Sequence, residues 1–66
     1  MADIHQEIEP ASCVKFTADT VQGHAWMSQN YHETPVTFSL LNSSERAEAE
    51  RFVKRAADAG LTVSEL

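Results

Sequence analysis

The sequence holds one cysteine, two glycines and two prolines among 66 residues. Because Cys13 is the only thiol, no disulfide can form within the chain. The two glycines, Gly23 and Gly60, are too few and too far apart to form a glycine-rich phosphate-binding loop. No GxGxxG, P-loop, HExxH or GxSxG motif occurs. The sequence therefore gives no motif support to nucleotide binding, zinc proteolysis or serine hydrolysis.

Long apolar runs are also missing. The longest is far short of the roughly 20 residues that a membrane helix needs, and no apolar segment follows a basic start as in a secretory signal. We interpret Cys13 as a small buried hydrophobic residue rather than a reactive thiol. These features predict a cytoplasmic protein without a membrane partner.

Acidic residues outnumber basic ones in this sequence. Ten acidic residues against five basic ones give a net charge of −5, which repels nucleic-acid backbones and anionic lipid. Residues 1–43 hold five acids and only one base, Lys15, whereas the acids and bases of residues 44–59 balance. We therefore expect no direct nucleic-acid binding and an acidic first half.

Alternation of apolar and polar residues predicts strands at 13–18 and 36–41, and a short strand at 61–65. Residues 24–30 fit either a strand or a short helix capped by Thr20, and we predict a strand.

The first residues look separate from the domain. Residues 1–11 mix charged and small residues up to Pro10, and we predict a mobile arm, with a short helix or an edge strand as the alternative. One domain would then occupy residues 12–66.

An amphipathic helix is expected at about residues 44–59. Asn42 or Ser43 can cap it, with Glu45 as the reciprocal partner, and acids precede bases along it as the helix dipole favours. Gly60 and Leu61 fit a Schellman ending. One apolar stripe runs along this helix, made of Ala49, Phe52, Val53, Ala56 and Ala59.

Together these elements predict an α+β fold, an antiparallel sheet of three or four strands with one helix packed on one face. A domain of this size buries only about 60% of its unfolded surface, and small domains usually add a metal, a disulfide or a second subunit. We therefore expect a homodimer formed across the sheet face or the terminal edge. The predicted core consists of Phe16, Phe38, Leu40, Phe52, Val53, Leu61 and Val63.

Metal binding and catalysis have weak support. His24, His32 and Glu33 could form a ligand-binding module, and His5 lies between acids, but the spacing matches no known site. A thin sheet with one helix rarely forms the water-excluding pocket that nucleophilic catalysis needs. We expect no cofactor, no metal and no enzymatic activity.

The leading hypothesis is a small acidic protein that binds another protein, as a regulator, inhibitor or accessory subunit. In size and charge alone it resembles small accessory proteins of phages and mobile elements. The first alternative is a nucleic-acid mimic whose carboxylates block the basic groove of a DNA- or RNA-binding protein, and the second is the metal- or ligand-binding module. Candidate partner-binding residues are Asp19, Trp26, Tyr31, Glu33 and Leu41.

Overall fold

The computed structural model describes residues 2–10 and 12–65, without the side chains of Glu9 and Glu65. Strands and helices combine in one α+β fold, so the predicted fold class is confirmed. The elements in chain order are β1 (Ile4–Glu9), β2 (Cys13–Ala18), α1 (Val21–Tyr31), β3 (Val36–Ser39), α2 (Ser43–Asp58) and β4 (Val63–Glu65).

The sheet has the strand order β3-β2-β1-β4. Its β1–β2 and β2–β3 pairs are antiparallel, whereas β4 lies parallel to β1, with Ile4 opposite both Ala18 and Val63. The expectation of a fully antiparallel sheet was therefore wrong. The reason is α2, which carries the chain back along the sheet between β3 and β4, so that these two strands run in the same direction.

Residues 1–11 were expected to form a mobile arm, but residues 4–9 form β1 in the middle of the sheet, between β2 and β4. Ile4 is fully buried there. The sequence hid this strand because its apolar residues, Ile4 and Ile8, stand four apart with Gln6 between them, which breaks the alternation typical of a strand.

Asp3 fixes the start of β1. Its carboxylate accepts hydrogen bonds from Thr20 Oγ1 at 2.7 Å and from the Thr62 backbone N–H at 3.1 Å. Its own N–H donates to the Thr62 carbonyl at 3.1 Å, and its carbonyl accepts from the Asp19 N–H at 2.8 Å. These hydrogen bonds, that from Thr20 first, hold the pKa of Asp3 below its ordinary value. One residue thus ties β1, the start of α1 and β4 together.

Residues 24–30 belong to the helix α1, so the strand predicted there was wrong. Thr20 caps this helix, its Oγ1 accepting a hydrogen bond from the Gly23 N–H at 3.1 Å. Gly23 and Met27, one turn apart, form its buried face. Gly23 lies so close to β1 that an added Cβ would stand 2.5 Å from the Asp3 carbonyl oxygen.

The second helix, α2, confirms the amphipathic helix that the sequence predicted. Asn42 caps it, accepting from the backbone N–H groups of Ser44 and Glu45. It ends in the expected Schellman motif, with Gly60 at φ 84° and the Leu61 N–H donating to the Ala56 carbonyl at 3.0 Å.

Both helices pack on the same face of the sheet, around Phe52. This ring stacks on Phe16 with centroids 4.1 Å apart, and Trp26 and Tyr31 of α1 contact it at 5.3 and 5.1 Å. The buried residues are Ile4, Val14, Phe16, Met27, Val36, Phe38, Ala49, Phe52 and Ala56.

The predicted core was confirmed for Phe16, Phe38 and Phe52, and corrected at Val53, which is 37% exposed. Neighbouring helix residues point about 100° apart, so the helix that buries Phe52 turns Val53 outward. The other predicted core residues, Leu40, Leu61 and Val63, are partly buried against the core.

Replacing Phe52 with alanine should lower the free energy of unfolding by about 3–5 kcal/mol, because a fully buried ring is lost from the centre of the core. Val53→Ala is the matched control and should change it by about 0.5 kcal/mol or less, as exposed positions do. Chemical denaturation of both variants measures the difference. Equal effects at the two positions would show that the helix faces the sheet with another side.

Gly23→Ala should also destabilise the protein, although alanine is the better helix former by about 1 kcal/mol. The new methyl group meets backbone at 2.5 Å, and overpacking of this kind costs about 1–3 kcal/mol. Ser28→Ala, at an exposed position of α1, should instead be neutral or stabilising. If Gly23→Ala raised the melting temperature as well, α1 would not lie against β1.

Candidate functional site

The helix-covered face of the sheet is open at one end. α1 lies over the start of β1, beside Asp3, and α2 connects β3 to β4 and contacts both strands. A cavity of about 430 Å³ lies between α2, the end of β1 and the start of β2, and we call this cavity the groove. The groove is lined by Gln6, Ile8, Val14, Phe16, Leu40, Arg46, Ala49, Glu50 and Val53.

Most of the groove's lining is apolar. Ile8 is 60% exposed and Val53 is 37% exposed, while Leu40 is partly buried between the groove and the core. Gln6, Arg46 and Glu50 add polar groups. Apolar side chains held open to water by a rigid sheet and helix gain free energy when a partner covers them, so the groove is suited to binding an apolar surface.

One edge of β1 continues the groove. The Asp19 N–H donates to Asp3 and the Ile4 N–H donates to Thr62, so odd residues of β1 bond to β2 and even residues face β4. Over the residues that the structure describes, β4 pairs with residues 4–6 of β1. Within the described residues, the backbone N–H and C=O of Ile8 therefore face a side of the sheet that carries no strand.

The opposite edge of the sheet, on β3, is protected. The Leu40 N–H donates to the Ser12 carbonyl, so Thr37 and Ser39 turn their backbone groups outward. The Ser39 N–H donates to Glu45 Oε1 at 3.3 Å, and Pro35, which has no N–H, precedes the strand. Glu45 therefore covers this edge instead of closing the reciprocal cap predicted for it. Such devices prevent strand addition.

The face of the sheet without helices carries an ion-pair cluster. His5 Nδ1 lies 2.7 Å from Asp19 Oδ2, and His5 Nε2 lies 2.8 Å from Glu7 Oε1. Hydrogen bonds to these carboxylates, that of Asp19 first, raise the pKa of His5 above its ordinary value. The cluster therefore favours the charged imidazolium and neutralises part of the acidity of β1.

The described part of the chain contains no group of three or more His, Cys, Asp or Glu side chains placed to hold a metal ion. His24, on α1, and His32 and Glu33, beyond its end, are all exposed. Cys13 is half-buried on the strand β2.

The candidate partner-binding residues are spread over the molecule. Trp26 and Tyr31 contact each other with ring centroids 5.7 Å apart and pack against the core. The Tyr31 hydroxyl is buried without a hydrogen-bond partner among the described residues. Asp19 belongs to the His5 cluster, Glu33 is exposed, and Leu41 is 82% exposed after β3.

None of these five residues lines the groove. Sequence reasoning missed Ile8 and Val53 because one was assigned to a mobile arm and the other to the core. The signal that could have found Ile8 is a β-branched residue flanked by acids in IHQEIE, which is compatible with a strand residue that remains exposed to water.

No family model, curated protein or solved structure matches the chain. Among the residues that the structure describes, no helix combines the length and the apolar character needed to cross a membrane. Function is therefore inferred from the groove, the β1 edge and the charge.

The His5 cluster should make stability depend on pH near neutrality. Because the folded-state pKa of His5 is raised above 6.5, its stabilising effect is complete below that value and is lost as the pH rises through the folded-state pKa. As the pH is raised from about 5 to about 9, the melting temperature of the parent should fall relative to the melting temperature of His5→Gln. Parallel curves for the two proteins would show that the cluster does not form in solution.

Proposed function

We propose that this protein is a small, non-catalytic binding protein that acts on another protein as a regulator, inhibitor or accessory subunit. The observation that carries the proposal is the groove, where Ile8 remains 60% exposed on a face that two helices otherwise cover. Its apolar lining suits the side chains of a protein partner. The proposed location is the cytoplasm, in keeping with the single cysteine.

The groove's chemistry favours docking over catalysis. Ile8, Leu40 and Val53 offer contact surface but no group that transfers a proton or attacks a carbonyl. The polar members of the lining, Arg46 and Glu50, lie four residues apart on α2 and can orient a partner by charge.

Mimicry of nucleic acid is less favoured. A mimic needs carboxylates displayed in rows where phosphates would lie, yet Asp3 accepts hydrogen bonds from Thr20 and Thr62, and Asp19 and Glu7 bind His5. These acids take part in hydrogen bonds and ion pairs within the fold, and a net charge of −5 is modest for a mimic.

The homodimer stays a prediction, and one of its two premises has changed. It assumed that a single helix leaves much of one sheet face uncovered, whereas α1 and α2 share that face. The remaining premise for a second copy is that so small a domain has neither a disulfide nor a supported metal site to compensate for its limited core.

An affinity experiment tests the proposed function. The protein is immobilised and exposed to lysate of its source cell, beside Val53→Glu, which puts a charge in the groove, and Thr37→Glu, which puts one on β3 away from it. A specific protein should be captured by the parent and by Thr37→Glu but lost with Val53→Glu, and should remain bound in about 0.5 M salt, where exposed ionic contacts are screened.

Two results would contradict the proposal. Equal capture by Val53→Glu would show that the groove is not the binding surface. Capture of no protein by any of the three baits would argue against a protein-binding role altogether. Loss of capture at high salt would instead favour mimicry.

A further inference from the structure

We propose that two copies of this chain meet at the groove, with α2 of each copy lying antiparallel beside α2 of the other across a two-fold axis. This inference goes beyond the proposed function, since a partner protein would then bind in competition with the second copy. Three features support it: charges of opposite sign on the α2 side of the groove, exposed apolar side chains beside them, and the balanced charge of α2.

The α2 side of the groove is a single stripe of side chains. Arg46, Ala49, Glu50 and Val53 line the groove, and their spacing of three and four residues places them on one face of the helix. Along its length the stripe offers a cation, a small residue, an anion and an apolar side chain. A second α2 lying in the groove would meet these groups.

Arg46 and Glu50 carry charges that the fold leaves without partners. Both residues are exposed, and neither side chain forms an ion pair or a hydrogen bond within the described part of the chain. A base four residues before an acid is the weaker order for an ion pair within one helix. On the same helix, by contrast, Arg51 pairs with Glu48. Arg46 and Glu50 are therefore available to another molecule.

One base and one acid on the same stripe are complementary to themselves. In an interface with two-fold symmetry, each contact between two different residues is repeated in reverse. An axis that passes α2 midway between Arg46 and Glu50 sets Arg46 of each copy opposite Glu50 of the other, which gives two ion pairs. The same alignment sets Val53 of each copy opposite Ser43, the first residue of the other α2 and three residues after Leu40 of the groove lining.

The apolar part of the groove adds the stability that exposed ion pairs lack. Exposed ion pairs contribute little individually, whereas the covering of apolar side chains is favourable in proportion to their area. Ile8 is 60% exposed and Val53 is 37% exposed, and both line the groove. In a symmetric dimer each of these residues is covered in both copies, so every apolar contact is made twice.

The distribution of charge favours contact through α2. A net charge of −5 on each chain opposes association in general, but the acids and bases of residues 44–59 balance. The face of the sheet without helices carries the ion-pair cluster of His5, and Glu45 covers the β3 edge. The α2 stripe therefore brings apolar side chains into an interface without adding net charge to it.

Exchange of the two charges tests this arrangement. Arg46→Glu places two acids at the paired positions and Glu50→Arg places two bases there, so either variant would repel a second copy of itself. An equimolar mixture of the two variants restores both ion pairs, and so does the double variant that carries both substitutions. Both positions are exposed, so the fold should persist, and thermal denaturation checks it. Sedimentation equilibrium of the full-length proteins from about 1 μM to about 100 μM gives the dissociation constants.

We expect the parent to dimerise in this range and each single variant to dimerise about tenfold more weakly, because two attractive pairs become two repulsive ones. The mixture and the double variant should return to within about twofold of the parent. The two single substitutions shift the net charge of −5 by two units in opposite directions. If overall repulsion alone mattered, Glu50→Arg would therefore dimerise more tightly than the parent.

Two substitutions outside the groove serve as matched controls. Glu33→Arg changes the net charge as Glu50→Arg does, at an exposed position away from the groove, and should dimerise no more weakly than the parent. Ile8→Ala should weaken the dimer about fivefold through lost apolar contact. Val21→Ala, at an 83% exposed position of α1, should leave the dimer unchanged.

Several results would overturn the inference. These are a monomer mass for the parent over the whole concentration range, a dimer that does not respond to Arg46→Glu, or single variants that still associate weakly when mixed. If the parent is monomeric but Val53→Glu abolishes capture from lysate, the proposed function stands and self-association at the groove fails. A dimer with the expected charge dependence, together with no captured protein, supports self-association and rejects the proposed function.

Discussion

The carboxylate of Asp3 joins three parts of the chain that are distant in sequence. It accepts hydrogen bonds from the cap of α1, at Thr20, and from the start of β4, at Thr62, while its own backbone begins β1. A single charged side chain therefore sets where one helix and two strands start. These bonds favour the ionised carboxylate and so hold the pKa of Asp3 below its ordinary value, and charge-assisted hydrogen bonds are the stronger kind.

The packing of α1 beside Asp3 also determines which end of β1 remains uncovered. Gly23 allows α1 to lie directly against the Asp3 backbone, so α1 covers the start of β1. The groove lies beside the other end of β1, and α2 lines it with Arg46, Ala49, Glu50 and Val53. None of the described lining residues belongs to α1, so the groove lies on the part of this face that α1 leaves uncovered. Ile8, the most exposed apolar strand residue that the structure describes, lines this groove, and that exposure is the basis for the function proposed.

Several elements could be predicted from local sequence alone. β2 matches its predicted bounds, β3 begins where Pro35 predicts, and α2 has the cap at Asn42 and the ending at Gly60 that its sequence specifies. α1 could not be predicted, because its buried face consists of Gly23 and Met27 and its other residues fit the spacing of a helix or of a strand equally well. β1 could not be predicted for a related reason, since Gln6 between Ile4 and Ile8 breaks the alternation that identifies a half-buried strand.

The candidate site depended on tertiary structure almost entirely. Ile8, Leu40 and Val53 come from three separate segments, and no spacing in the sequence places them in one groove. Trp26 and Tyr31 looked like interface anchors by type, but the ring of Phe52 draws them toward the core. The sequence by itself determined the α+β class, the acidic charge and the amphipathic α2, because composition, periodicity and capping act over a few neighbouring residues. Only the tertiary structure decided that β1 is central and that β4 is parallel to it, because those facts depend on hydrogen bonds between residues as far apart as Asp3 and Thr62.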